Sequence, residues 1–221
     1  MPRRAITAAL GAAALLAAGC GTAAAPTRSP ATPASVDAAQ ARADAFATVA
    51  SQLYRSESAG PAGRRNAARI ARDPQLVEAL GSGRHGAIRA AALRELFLPV
   101  KHVVRIRVVR GGRPVIDVGG SFVAGAESTR LRAPDGTSLG RLDVSMQDIL
   151  GLTKLVSRFT GAAIVVHGRP GHVIASRPGL ARVRMPASGR VTIAGRPFAV
   201  RTLDRTGFAG EPLRISVLVP A

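Results

Sequence analysis

One cysteine, one tyrosine and no tryptophan occur in 221 residues, and aromatic residues make up 3% of the chain. A lone cysteine excludes an intramolecular disulfide, a multi-cysteine zinc site and a paired-thiol redox motif. The scarcity of aromatic rings removes the platforms on which single-stranded nucleic-acid binders stack bases. Acidic residues are also few, 13 against 31 basic ones, and only Lys101 and Lys154 of the basic residues are lysines. The resulting net charge of +18 suits an anionic surface or polymer, but it is spread along the chain rather than blocked, so no nucleic-acid partner is expected. Beyond the first twenty residues no apolar run is long enough to span a bilayer. What is plentiful is aliphatic: 47% of the residues are hydrophobic, enough to build the core of one domain of ordinary size.

The first twenty residues read as an export signal. Arg3 and Arg4 form a basic start, residues 5–18 an uncharged apolar stretch, and the run closes Leu16-Ala17-Ala18-Gly19-Cys20. This resembles a bacterial lipoprotein signal, in which the thiol of the cysteine, here Cys20, takes a diacylglycerol. It departs from the usual pattern in having Ala17 three residues before the cysteine, with Leu16 one earlier. The resemblance implies removal of residues 1–19 and anchoring of the mature chain in the cell membrane on its extracytoplasmic side. Residues 20–35, rich in Ala, Thr, Pro and Ser, then serve as a flexible tether.

A helical segment is expected over residues 36–99. Ser35 can cap a first helix whose apolar positions Val36, Ala39, Ala43, Phe46, Val49, Ala50, Leu53 and Tyr54 recur at three- and four-residue steps until Gly60-Pro61. Shorter helices follow over residues 62–71, 74–80 and 83–96, with Asp73 as the cap and Pro74 at the first position of the middle one. From residue 100 to 221 the apolar period drops to two. Val104, Ile106 and Val108 begin a hairpin that turns at Gly111-Gly112. Residues 121–126, 128–133 and 139–146 read as further strands. Asp148 opens a helix with Ile149, Leu152, Leu155, Val156 and Phe159 in one stripe, and antiparallel strands close the chain. The fold class is α+β: one antiparallel sheet with a long N-terminal helix and short helices packed on one face.

The order of elements, with particular phrases, resembles the Cache family of extracytoplasmic, PAS-like sensor domains. The phrases are residues 71–80 (ARDPQLVEAL), the strand pair 103–118, residues 140–148 (GRLDVSMQD) and the closing 210–220 (GEPLRISVLVP). The likeness covers residues 36–221. It implies a sheet that binds a small extracellular ligand on the face away from the long helix. Members usually carry a kinase, cyclase or chemoreceptor output, whereas this chain ends at Ala221 without one. None of the ligand-recognition motifs of particular subfamilies is present, so the resemblance carries over no ligand.

Strand alternation selects the candidate site. With Val104, Ile106 and Val108 facing the helices, Arg105 and Arg107 face the opposite way, together with Asp117, Asp143, Ser145 and Ser216. Arg105, Arg107, Asp117, Ser145 and Ser216 could hold a small anion, because a guanidinium is a planar fork matched to carboxylate or phosphate. The same pattern also describes an antiparallel sheet with one solvated face, where Arg next to Asp is only a solvent-exposed ion pair. Lys154 and Arg158 read as the polar side of their helix. His167 and His172 flank a turn without a carboxylate close in sequence, which makes a poor metal site. Ser145, His167 and Asp143 can be drawn as a triad only on paper. With no nucleophile or metalloprotease motif, neither enzymatic activity nor a cofactor is expected. Two other partners remain open: a membrane sensor kinase or transporter docked on the sheet, and an anionic envelope polymer or lipid bound by the basic surface.

Overall fold

The computed structural model describes residues 33–98 and 102–221. The long helix α1 (Pro33–Ala59) is followed by α2 (Pro61–Ile70), α3 (Pro74–Ser82) and α4 (His85–Leu96). Strands β1 (Arg105–Arg110), β2 (Arg113–Gly119), β3 (Glu127–Arg132) and β4 (Ser138–Ser145) lead to α5 (Ile149–Thr160). Strands β5 (Ala163–His167), β6 (Val173–Ala175), β7 (Ser188–Ile193), β8 (Arg196–Thr206) and β9 (Pro212–Pro220) complete the chain. Cys20 and the lipoprotein signal lie outside the described residues, as does most of the tether. No helix among the described residues is long and apolar enough to cross a membrane.

The α+β class holds, with antiparallel pairing throughout, but the strands form two sheets rather than one. The first has the order β2-β1-β4-β3 and the second β6-β5-β9-β8-β7. The helices divide between them. Ile70, Leu76, Leu80 and Ile88 of α2 to α4 pack on Ile106, Val108, Leu142 and Val144 of the first sheet. The long helix instead covers the second sheet, where Ala39, Ala43, Ala47, Ala50 and Tyr54 meet Ile215, Val217 and Val219 alongside Ile149, Leu152 and Val156 of α5. Its buried stripe is mostly alanine, which lets the helix lie close to the strands. The opposite face of the second sheet is closed by Leu180 and Met185 over Val165, Val200 and Leu218. Period-two alternation cannot separate one sheet of nine strands from two smaller ones, because both give the same inside and outside pattern.

Local signals explain most boundaries. Asp73 caps α3, accepting from the backbone N–H of Gln75 at 2.8 Å and of Leu76 at 3.3 Å, and Asp148 caps α5 through Gly151 N–H at 2.5 Å. Gly111 and Gly112, at φ +56° and +76°, make the tight turn between β1 and β2 that two consecutive left-handed residues favour. Three expectations fail. Helix α1 has already begun at Pro33, so Ser35 is not its cap. Residues 121–126 form no strand beyond a single bridge between Val123 and Asp148. Phe159 is 67% exposed instead of joining the buried stripe of α5, because Ile149, Leu152 and Val156 already fill its contact with the sheet.

Candidate functional site

Register brings the first-sheet candidates onto one face. Arg105 lies opposite Ser145 and Arg107 opposite Asp143 on β4, while Arg107 faces Asp117 on β2. Ser128 of β3 joins them opposite Asp143. Ser216 does not: it lies on β9 in the second sheet, fully buried, with its hydroxyl 2.8 Å from that of Thr202. The two serines share strand parity but not a sheet, which alternation alone cannot register.

This polar face is covered in part: Asp117, Ser128 and Arg141 are exposed, while its middle is buried. Asp143 is 4% exposed and Ser145 fully buried. The cover is the connection between β8 and β9, a 3₁₀ turn at Phe208–Gly210 that sets the ring of buried Phe208 4.8 Å from the guanidinium carbon of Arg105. The segment before β3 lies along the connection into α5, with Ala124 N–H donating to Gln147 C=O at 2.8 Å and Ile149 N–H to Phe122 C=O at 3.2 Å. Tyr54, the single tyrosine, ties α1 to this region by donating to the carbonyl of Thr206 at 2.7 Å. Burial raises the Tyr54 phenol above its ordinary value, against hydrogen bonds from Ser58 and the Gly125 N–H and the charge of Arg205, so it stays a neutral donor.

The candidates take different parts. Arg105 is fully engaged: Nε and Nη2 donate to the two oxygens of Asp117 at 2.7 and 3.0 Å, and Nη1 donates to the carbonyls of Gly120 and Ser121 at 3.1 and 3.2 Å. Asp143 accepts from the Ser128 hydroxyl at 2.7 Å and from Arg141 Nε and Nη2 at 2.9 and 3.1 Å. Ser145 donates weakly to the carbonyls of Ala124 and Gln147, each at 3.4 Å. His167 lies on β5 in the second sheet, and among the described residues neither Ser145 nor Asp143 hydrogen-bonds to it. Arg107 is the exception. Its Nε is buried without a hydrogen-bond partner, and the nearest carboxylate oxygen, Asp117 Oδ2, is 4.0 Å away and already held by Arg105.

Arg107 lines a cleft of about 520 Å³. One wall is the first-sheet face, with Arg107, Ser128, Arg141 and Asp143. The other is the β8–β9 connection, with Thr206, Gly207, Ala209 and Gly210, and Ser58 and Gly125 close the end. Ala209 holds a left-handed backbone at φ +57°, a conformation that side chains other than glycine seldom adopt. Three arginines, at 105, 107 and 141, face two carboxylates, at 117 and 143, and both carboxylates are held bidentately by Arg105 and Arg141. One positive charge is therefore left over, and it is on Arg107. The cleft thus presents a guanidinium whose Nε has no hydrogen-bond partner, the hydroxyl of Ser128 and the carboxylate of Asp143.

Ser128, Arg141 and the β8–β9 wall were not among the residues singled out from sequence. Parity could have added Ser128 and Arg141, which share the Asp143 face; nothing in the sequence signals that a turn 60 residues later closes over it. His172 makes its own contact instead of a metal site, with Nδ1 2.9 Å from Glu211 Oε1 and its ring 4.8 Å from that of Phe122. Burial, then the charge of Arg214, lower the His167 imidazole below its ordinary value.

Neither a protein-family model nor a curated protein sequence matches the chain. Among solved structures, the periplasmic domain of LuxQ from Vibrio cholerae is similar over 81% of this chain and all of that domain, at 10% identity and a TM-score of 0.52. The isoleucine-bound sensory domain of the Campylobacter jejuni chemoreceptor Tlp3 aligns over 83% of this chain and 92% of that one, at 9% identity and a TM-score of 0.44. The chain thus shares the fold of that LuxQ periplasmic domain, and its α+β arrangement is the one the Cache resemblance implies.

Proposed function

We propose that this chain is an extracytoplasmic ligand-binding sensor domain, not an enzyme, which takes a small molecule bearing one anionic group in the cleft at Arg107. The observation that carries the reading is the stranded guanidinium. Leaving a buried N–H without an acceptor is costly, and a carboxylate or phosphate oxygen in the cleft would satisfy the Nε, which no described residue hydrogen-bonds. Ser128 and the carboxylate of Asp143 would select the rest of the molecule, an amino group or hydroxyl on the ligand being a natural complement to Asp143. The fold shared with the periplasmic domain of LuxQ supports the extracytoplasmic setting. The sequence Leu16-Ala17-Ala18-Gly19-Cys20 supports removal of residues 1–19 and lipid anchoring through Cys20, with residues 20–35 as the tether.

The experiment is a thermal-shift screen of the mature chain at moderate salt against small carboxylates, amino acids, phosphate esters and, as cationic controls, polyamines. A ligand held well above its dissociation constant raises the midpoint by several degrees. Stabilisation by a monoanion or amino acid, lost in Arg107→Ala, is the expected result. A flat response across the anions contradicts the reading and leaves the first sheet as a docking surface for a protein.

A further inference from the structure

Helix α1 begins at Pro33, and its first turns lie beside the last residues of β9 and the first of β8. Gln40 Nε2 donates to Val200 C=O and Arg42 Nη2 to Pro220 C=O, each at 3.3 Å. The same end of the second sheet receives the end of α5, because Ala163, which starts β5 after the stop at Gly161, pairs with Leu218. The β7–β8 hairpin closes there at Ile193 and Arg196, and the connection after β6 turns there, with Ser176 N–H donating to Ile164 C=O at 2.8 Å. Residues 21–32, between Cys20 and α1, therefore join the domain at this end. Fully extended, they reach at most about 45 Å.

This end is basic and carries an exposed ring. Arg158 in the last turn of α5, Arg177 after β6 and Arg196 in the hairpin are exposed, and their guanidiniums make no hydrogen bond or ion pair with a described residue. Asp37 is the acidic side chain at the start of α1, and Asp44, further along, is held by Arg201 at 3.7 Å. Phe159, next to Arg158, is 67% exposed. A soluble anion would answer the arginines but not the ring, which gains only on leaving water for an apolar phase. The interface of an anionic bilayer supplies both at once.

We propose that this end docks on an anionic phospholipid bilayer, with Phe159 entering the interface and Arg158, Arg177 and Arg196 meeting lipid phosphates. The proposal rests on the reading of Cys20 as a lipid anchor, which keeps this end within reach of the membrane and makes the docking step intramolecular. The cleft at Arg107 stays open, because it lies toward the opposite end of the second sheet, where β8 finishes at Thr206.

The test uses the mature chain with Cys20→Ser, so that no acyl chain contributes, and vesicles of phosphatidylcholine with and without phosphatidylglycerol. The chain has no tryptophan, so Phe159→Trp places a lone reporter at this end, and Phe97→Trp places a control at the other widely exposed ring, 78% open, after α4. On vesicles containing phosphatidylglycerol the emission of Phe159→Trp should move to shorter wavelength and be quenched by brominated acyl chains, while that of Phe97→Trp stays as in water. In co-sedimentation, Arg158→Ala with Arg177→Ala should weaken binding about tenfold or more, whereas Arg113→Ala with Arg130→Ala, which removes equal charge from the first sheet, should stay within about twofold. Absence of binding, equal quenching of the two reporters or equal losses in the two double variants would overturn the proposal. So would a shift of Phe159→Trp emission on raising protein concentration without lipid, which would mean that a second copy covers this end. Lipidation fails or holds separately, since the mass of the membrane-extracted wild-type chain reports it.

Discussion

Arg105 grips both carboxylate oxygens of Asp117, at 2.7 and 3.0 Å, and by doing so leaves the neighbouring Arg107 only a long contact with that carboxylate, at 4.0 Å. Two arginines two residues apart on one strand thereby acquire opposite roles. Arg105 also carries the stacking contact with Phe208 and bonds to two loop carbonyls, so it fastens the β8–β9 connection to the first sheet. Arg105→Ala should destabilise the fold by about 2 kcal/mol, the scale for losing charge-assisted hydrogen bonds. Arg107→Ala removes a partly exposed guanidinium whose one ion pair, with Asp117, is long, and should leave stability nearly unchanged. Urea denaturation of the two variants checks this; a larger loss in Arg107→Ala than in Arg105→Ala would contradict the assignment.

The first sheet depends on a close approach at its edge. Gly119 sits at φ +119°, and a Cβ there would lie 2.3 Å from the carbonyl oxygen of Val104. Gly136, at φ +86°, opens onto empty space. Gly119→Ala should therefore cost about 3 kcal/mol or more, combining backbone strain with a clash that the strand pairing cannot relieve. Gly136→Ala bears the strain alone and should cost about 1 kcal/mol. Thermal melts of the two single variants measure the difference, and equal midpoints would contradict it.

Stability should fall in two steps as the pH is lowered. Burial lowers the His167 imidazole in the folded state, with Arg214 adding to the effect, so the unfolded chain binds the proton more readily. Stability is then lost as pH falls from about 6.5 toward the lower folded value. At Asp73, burial alone would raise the carboxyl. Hydrogen bonds from Arg94 and from the Leu76 and Gln75 N–H groups, with a smaller one from Glu95, outweigh it and hold the carboxyl below its ordinary value. Its contribution is fully present above about pH 4 and is lost as pH falls through the folded value. In urea titrations at stepped pH, His167→Gln should remove the upper stage and Asp73→Asn the lower one. A wild-type stability that rises on acidification through either window would contradict the signs.

Helix caps, turns and strand parity were legible in the sequence because each rests on residues close together in the chain. Asp73, Asp148 and Gly111-Gly112 act where the pattern puts them, and parity brought Arg105, Arg107, Asp117 and Ser145 onto one face. What was not legible depends on distant contacts. The division into two sheets, and with it the removal of Ser216 from the group, follows from β4 pairing with β1 while β9 pairs with β5 and β8. The burial of Asp143 and Ser145 follows from a turn at Phe208 that belongs to the other sheet. Even the separate roles of Arg105 and Arg107 turn on which guanidinium reaches Asp117, a matter of ångströms that alternation leaves undetermined.

The central claim is that the guanidinium of Arg107, whose Nε has no hydrogen-bond partner, is the anchor for an anionic ligand. Isothermal titration calorimetry of the best stabilising anion from the thermal-shift screen, into wild type, Arg107→Ala and the exposed same-face control Arg130→Ala, tests it most directly. Loss of a charge-assisted contact predicts a drop in affinity of about tenfold or more for Arg107→Ala, with Arg130→Ala within about twofold of wild type. Wild-type affinity in Arg107→Ala would contradict the account.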